Sequence, residues 1–221
     1  MILPVKLINQ CREIEKFTNW KLLSLGQWGL SIQVDSRKVL KITFDESEIE
    51  SIRPLLGKKL EWCANYYKIQ KIRISNDLSL DGKLIAAGTT AWIIVSEVLN
   101  RREDYLKNRV EWIKFCDMLE DIFNRKLNHG LLETEGFNVL KREVKKTSKT
   151  PISDLEIINS LWNIHIELKS NGVEWNNYQI QNMAYKNGHI AVQWINNNKE
   201  HEIGENDFKY LTNYKNFNAM Q

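Results

Sequence analysis

The sequence predicts an α+β protein with a β-rich first half, residues 1–99, and a helical second half, residues 100–221. Two observations carry this. Short runs of β-branched and aromatic residues, broken by glycine and aspartate, fill the stretch from Trp20 to Leu99. After residue 103 the apolar positions recur at steps of three and four. Strands first and helices later suggest an α+β chain with a cleft between its halves.

Leu3, Leu7, Ile8, Cys11, Ile14 and Phe17 keep a helical period and predict a short amphipathic helix at the start. "WKLLSLGQWGLSIQVDSRKVLKITF" then reads as three strands joined by a glycine-containing turn and by "DSRK". "DESEIESIRPLLGKKLEWCANYY" reads as a helix weakened in its middle by Pro54 and Gly57. "KIQKIRIS", "GKLIAAG" and "TTAWIIVSEVL" supply further strands, the last ending near Leu99.

In the second half, Trp112, Phe115, Cys116, Leu119, Ile122 and Phe123 line one face of a helix. The basic run "KREVKKTSK" (141–149) reads as a solvated loop, with a docking patch for an acidic partner as the functional alternative. Ser153 and Glu156 form a capping box that opens a further helix, on which Leu155, Ile158, Leu161, Trp162 and Leu168 share a face. "HIAVQWI" is a short strand, followed by a polar tail.

Composition narrows the function. A net charge of +3 is too small for a typical nucleic-acid protein, so nucleic acid is an unexpected partner. No apolar run approaches the ~20 residues that span a bilayer, and "MILPVKLINQCREIEKF" lacks the pattern of a signal peptide, so a cytoplasmic location without membrane is expected. Cys11, Cys63 and Cys116 are odd in number and far apart, which predicts buried thiols rather than disulfides or zinc ligands. His129, His165, His189 and His201 show no metal-binding spacing, and no metal site is expected.

Four stretches, in order and in register, resemble the protein-kinase-like family. "LGQWGLSIQV" resembles the glycine-rich hairpin that covers nucleotide phosphates: Gly26 matches the first glycine, Trp28 stands at the second and Ser31 at the third. A tryptophan there opposes close approach of backbone to phosphate. "VLKIT" resembles the V-A-I-K strand and makes Lys41, fifteen residues after Gly26, the match for the phosphate-binding lysine; the plain alternative is a strand lysine facing water. Glu50 and Glu61 are candidates for its acidic partner, and spacing favours Glu61. "AWIIVSEVL" resembles the strand leading to the hinge, with Ser96 limiting the adenine pocket and Glu97 and Leu99 offering backbone groups to adenine; a buried strand without ligand is the alternative.

The fourth stretch is similar to the catalytic loop. "GVEWNNYQIQNMA", Gly172 to Ala184, aligns without gap with G-I-V-H-R-D-L-K-P-E-N-I-L, so Asn182 matches the metal-ligating asparagine and Asn177 stands where the catalytic aspartate belongs. Eleven residues beyond Asn182, "AVQW" puts Gln193 at the position of the metal-binding aspartate and Trp194 at that of the phenylalanine. "KNGH" resembles the intervening hairpin turn. The resemblance covers about residues 20–198 and implies a bilobal fold with a reduced helical C-lobe, since 27 residues follow Trp194.

The resemblance implies that the chemistry is lost. Asn177 carries no charge and takes no proton near neutral pH, and loss of a general base commonly costs about 10²- to 10⁴-fold in rate. Gln193 offers magnesium a neutral, longer side chain where an anionic oxygen is preferred. The expectation is a catalytically inactive, pseudokinase-like protein that acts by binding a protein partner, in the manner of a compact phage or pathogen factor that engages or inhibits a host protein. No cofactor is expected, or ATP without strong magnesium dependence. One alternative is an atypical phosphotransferase using displaced acids such as Glu174, Glu200, Glu202, Glu205 or Asp207. Another is a nucleic-acid module built on the eight tryptophans and the 141–149 run, although Trp20, Trp112 and Trp162 sit in apolar periodic segments that suit a core.

Overall fold

A computed structural model describes residues 5–26, 28–99, 134–147, 151–173 and 183–195. The described elements are α+β: strands dominate up to residue 97 and the longer helices follow. The chain divides into two compact units, one made of Met1–Lys59 with Ala64–Val98, the other of Leu60–Cys63 with Leu99–Gln221. Residues 60–63 go with the second unit.

In the first unit, helix α1 (Val5–Arg12) precedes the meander β1 (Lys21–Gly26), β2 (Gly29–Gln33) and β3 (Lys38–Thr43). Helix α2 (Glu46–Ile52), β4 (Tyr66–Arg73), the hairpin β5 (Leu78–Leu80) and β6 (Lys83–Ile85), and β7 (Thr90–Glu97) complete it. The five-stranded sheet runs β1-β2-β3-β7-β4, antiparallel throughout. Alternation along its strands sorts side chains between two faces. Leu30, Ile32, Leu40, Ile42, Ile93 and Val95 bury one face against α1 and the β5–β6 hairpin, through Leu7, Ile8, Cys11, Leu80 and Ile85. The other face carries Ser31, Lys41 and Ile94, paired side by side across three strands.

Strand β5 was not foreseen. Its signal is the two-residue loop Asp81-Gly82, with φ of 46° and 80°, the backbone of a type I′ hairpin turn.

The helix predicted from "DESEIESIRPLLGKKLEWCANYY" is corrected: only Glu46–Ile52 is α-helical. Asp45 caps its start by accepting the backbone N–H of Ser47 at 2.9 Å. Pro54 then supplies no N–H to continue the ladder, and the chain passes through a single 3₁₀ turn, Arg53–Leu55.

The second unit holds α3 (Thr134–Thr147), α4 (Pro151–Ser170) and the hairpin β8 (Met183–Lys186) and β9 (His189–Val192). Two further expectations are corrected here. The basic run read as a loop is helical through Thr147, because Phe137 and Val144, seven residues apart, bury one stripe while Arg142, Lys145 and Lys146 stay exposed. Helix α4 begins at Pro151, upstream of the expected capping box, and proline suits a first turn where its missing N–H has no partner to lose. Its far end is a Schellman motif: Gly172, at φ 75°, donates its N–H to Lys169 at 3.0 Å, and Val173 donates to Leu168 at 2.9 Å. The helix expected around residues 108–127, with Cys116, lies outside the described residues.

His165 of α4 is buried, and neither ring nitrogen has a hydrogen-bond partner among the described residues. Burial, aided by the charge of Lys169, lowers its pKa from the usual 6.5. The fold therefore holds the neutral imidazole, while the unfolded chain takes up a proton as pH drops below about 6.5. Stability is expected to fall from that pH downward, by at most about 1.4 kcal/mol per pH unit until the lowered folded pKa is reached. Urea titrations between pH 7 and pH 5 check this: His165→Leu is expected to flatten the slope, and an unchanged slope contradicts the assignment.

Candidate functional site

Lys41 projects from β3 on the α2 side of the sheet, and its ammonium pairs with the carboxylate of Glu48. Glu48 is 2% exposed, on the buried face of α2 with Ile49 and Ile52. This reproduces the kinase-like pairing of a lysine on the third strand with a glutamate on the following helix. It also corrects the expected partner. Glu61 belongs to the second unit, where its backbone N–H is held by Glu167. The signal for Glu48 was present in the sequence: a helix capped at Asp45 that buries Ile49 and Ile52 also turns position 48 inward.

Opening a buried pair by removing one partner leaves the other charge uncompensated, which costs about 3–5 kcal/mol. Glu48→Ala is expected to destabilise the first unit by about 3 kcal/mol, measured by chemical denaturation. Substituting both partners with Met and Leu is expected to recover most of that loss.

Ser31 is buried beside Lys41 as its cross-strand neighbour. Trp28 follows β1 in the connection to β2; the residue is 63% exposed, and the Lys83 ammonium lies 3.4 Å from its ring centroid. The glycine that the strands require is Gly29, which the sequence reading passed over. A Cβ added there would stand 2.1 Å from the carbonyl oxygen of Ile42. Gly26 pairs with Gly29 at the end of the hairpin.

At the end of β7, Ser96 is fully buried and pairs with Val39 and Tyr66. Glu97 is tied to Asn65 on both sides: its N–H donates to the Asn65 carbonyl at 2.8 Å, and its carboxylate accepts from the Asn65 side-chain amide at 2.8 Å. The Leu99 N–H donates to Oε1 of Gln193 at 3.0 Å in a buried environment. Of the backbone groups that Glu97 and Leu99 were expected to offer an adenine edge, both N–H groups are engaged by the protein. Gln193 itself is 5% exposed, directly after β9 and beside buried Trp194 and Ile195. Asn177 and Asn182, with Glu174, lie outside the described residues.

Residues 60–63 are not helical, and their backbone groups find partners in the second unit. The carboxylate of Glu167 accepts the N–H groups of Glu61 and Trp62 at 2.7 and 2.8 Å. The Lys186 ammonium donates to the carbonyls of Leu60 and Cys63 at 2.7 and 3.0 Å. Val192 donates to the Trp62 carbonyl at 3.0 Å, and His189 packs on the Trp62 ring with centroids 3.9 Å apart. Burial and then the Glu167 carboxylate push the Cys63 thiol well above its ordinary pKa, and burial pushes that of Cys11 up to about 12. Neither is an activated nucleophile. Among the described residues, no group of three or more His, Cys, Asp or Glu side chains could hold a metal ion.

Of the tryptophans suggested as stacking platforms, Trp20 packs against the core of the first unit, and Trp162 stacks on Phe137 at 4.4 Å inside the second. Trp112 lies outside the described residues.

No protein-family model matches the chain, and no curated protein matches it. Solved structures align with nearly its whole length at low identity. The ADP-bound aminoglycoside phosphotransferase APH(2'')-Ib aligns over 97% of this chain and 82% of its own, with 12% identity and a TM-score of 0.33. The streptomycin–ATP complex of APH(2")-IIa aligns over 98% and 83%, with 10% identity and the same TM-score. The gentamicin complex of APH(2")-IIa gives 11% identity over 98% and 82%, again at a TM-score of 0.33. Superpositions this loose say nothing about the chemistry of the site, which stands on the residues described above.

Proposed function

We propose that this chain is a kinase-like protein that has relinquished metal-assisted phosphoryl transfer and works by binding another protein. One observation carries the reading: the buried hydrogen bond from the Leu99 N–H to the Gln193 carboxamide. In the register of the resemblance, position 193 should carry an anionic oxygen for magnesium, and position 99 should offer backbone groups to adenine. Here a neutral oxygen is spent on that N–H. A carboxamide can be buried in this role without the desolvation penalty of a carboxylate, but it brings no negative charge to a hard cation. Among the described residues, the one at the position of the metal-binding aspartate does not fit magnesium.

The Lys41–Glu48 pair favours the second reading, an atypical phosphotransferase, because that pair is what nucleotide-dependent catalysis in kinases also requires. One experiment separates the two. The full chain is incubated with labelled ATP and magnesium, and phosphate transfer is compared between wild type and Lys41→Ala. The expected result is no transfer that depends on Lys41, and no thermal stabilisation by ATP. A gain of about 2.7 kcal/mol with ATP a hundredfold above its Kd, or transfer abolished by Lys41→Ala, overturns the non-catalytic reading.

The hydrogen bond is checked separately. Gln193→Ala leaves the buried Leu99 N–H without its acceptor and is expected to cost about 1–3 kcal/mol in urea unfolding; Gln193→Glu, which keeps an acceptor oxygen at the same reach, restores the contact at the expense of burying a charge.

A further inference from the structure

We infer that the exposed face of α3 is the surface on which this protein takes its partner, and that the partner presents an acidic polypeptide segment to it. The inference rests on the protein-binding reading above and gives it a location and a chemistry.

The charge distribution singles out this helix. Within α3, Lys141, Arg142, Lys145 and Lys146 stand against Glu135 and Glu143, a net +2 over 14 residues, where the whole chain carries +3. The rest of the chain therefore carries +1, so α3 holds most of the net positive charge. A loop would scatter those charges. The helix gathers them, since Arg142, Lys145 and Lys146 are spaced i, i+3, i+4 and share one side. The Arg142 and Lys146 side chains are 64% and 62% exposed, and Lys145 is exposed. Glu143 offsets part of the charge, 3.2 Å from Lys146 and 3.7 Å from Arg142, but it is largely buried and leaves the outer side cationic. Phe137 and Val144 hold the opposite stripe of α3 in the interior, so the orientation of the basic side is set by packing.

The choice between a polypeptide and a nucleic acid follows from the aromatic residues. Single-stranded nucleic acid is bound by cationic grooves with exposed rings on which bases stack. Beside this patch the rings are already used: Phe137 is buried and stacked on Trp162, and the Lys141 ammonium lies 4.6 Å from the Phe137 centroid. Among the described residues of the second unit no large aromatic side chain is exposed, and a row of cations so placed suits carboxylate side chains, which need only charge and hydrogen-bond donors.

Fluorescence anisotropy of the full chain with a labelled oligoglutamate peptide, at low and at physiological ionic strength, tests this. R142Q/K145Q/K146Q is expected to weaken binding about tenfold, with an unchanged melting temperature because the side chains are exposed. K6Q/K16Q/K59Q removes the same charge from exposed lysines elsewhere and is expected to leave binding unchanged. Should the triple variant lose stability, K145Q/K146Q makes the same comparison with two charges. Absence of peptide binding, equal weakening by both triple variants, or tighter binding of a DNA duplex of equal charge overturns the inference. Lys41-dependent phosphate transfer with patch-dependent peptide binding would sink the non-catalytic reading and leave this one; no transfer with patch-independent binding would do the reverse.

Discussion

Glu167→Ala is expected to lower the unfolding free energy of the second unit by about 3 kcal/mol, among the largest effects available to a single substitution here. The carboxylate accepts two consecutive backbone N–H groups, from Glu61 and Trp62. Hydrogen bonds to a charged acceptor contribute about 1.5–3 kcal/mol each, and alanine removes both while leaving the donors in place. The loss should extend to the other partners of residues 60–63, because Lys186, His189 and Val192 grip the same four residues. Glu167→Gln keeps one acceptor oxygen but sets an NH₂ against the other donor, so an intermediate loss is expected. Denaturant titration at neutral pH gives the numbers, and an Ala variant within about 0.5 kcal/mol of wild type, the range of an ordinary surface change, contradicts the role assigned to Glu167.

Gly29→Ala is the second large effect, expected to destabilise the sheet by about 3 kcal/mol. Overpacking a core costs about 1–3 kcal/mol when side chains can shift. Here the obstacle is backbone: the added Cβ would lie 2.1 Å from the Ile42 carbonyl oxygen and 3.1 Å from the Thr43 Cα. No rotamer relieves that, so β2 and β3 must separate at Gly29↔Thr43, where their pairing begins. Amide hydrogen exchange supplies the local check, since protection should fall first at Leu30 and Phe44. A variant that unfolds with the midpoint of wild type would show that the strands accommodate the methyl group.

Both predictions concern residues that the sequence did not single out, for different physical reasons. Gly29 sits in a stretch read through Gly26, Trp28 and Ser31, and its need to be glycine arises from the close approach of Ile42 and Thr43 on β3, more than a dozen residues away along the chain. Glu167 is one of three acids on α4, with Asp154 and Glu156, and its role depends on a segment 106 residues earlier. Local rules do not reach across that distance. The expected helix through residues 53–65 failed for a related reason: residues 60–63 have partners for their backbone groups in Glu167, Lys186 and Val192, and those outcompete the weak helical preference around Pro54 and Gly57. Glu48 is the contrasting case, legible in principle from the cap at Asp45 and the inward Ile49 and Ile52, and missed because the spacing of a longer helix was assumed.

What the sequence by itself determined is the order of elements and the chemical character of key positions. Period-two runs required strands before Leu99, and period-three-and-four runs required helices after it. Lys41 lay on a strand, Gln193 was neutral where a carboxylate would serve a metal, and "KNG" made a hairpin, as Asn187 at φ 51° and Gly188 at φ 88° bear out. The tertiary structure alone decided which groups those positions meet: Glu48 for Lys41, the Leu99 N–H for Gln193, Glu167 for the backbone of residues 61 and 62. Periodicity and turn chemistry are written in neighbouring residues, whereas a partner for a buried charge or amide is chosen by whatever the fold brings within about 3 Å of it.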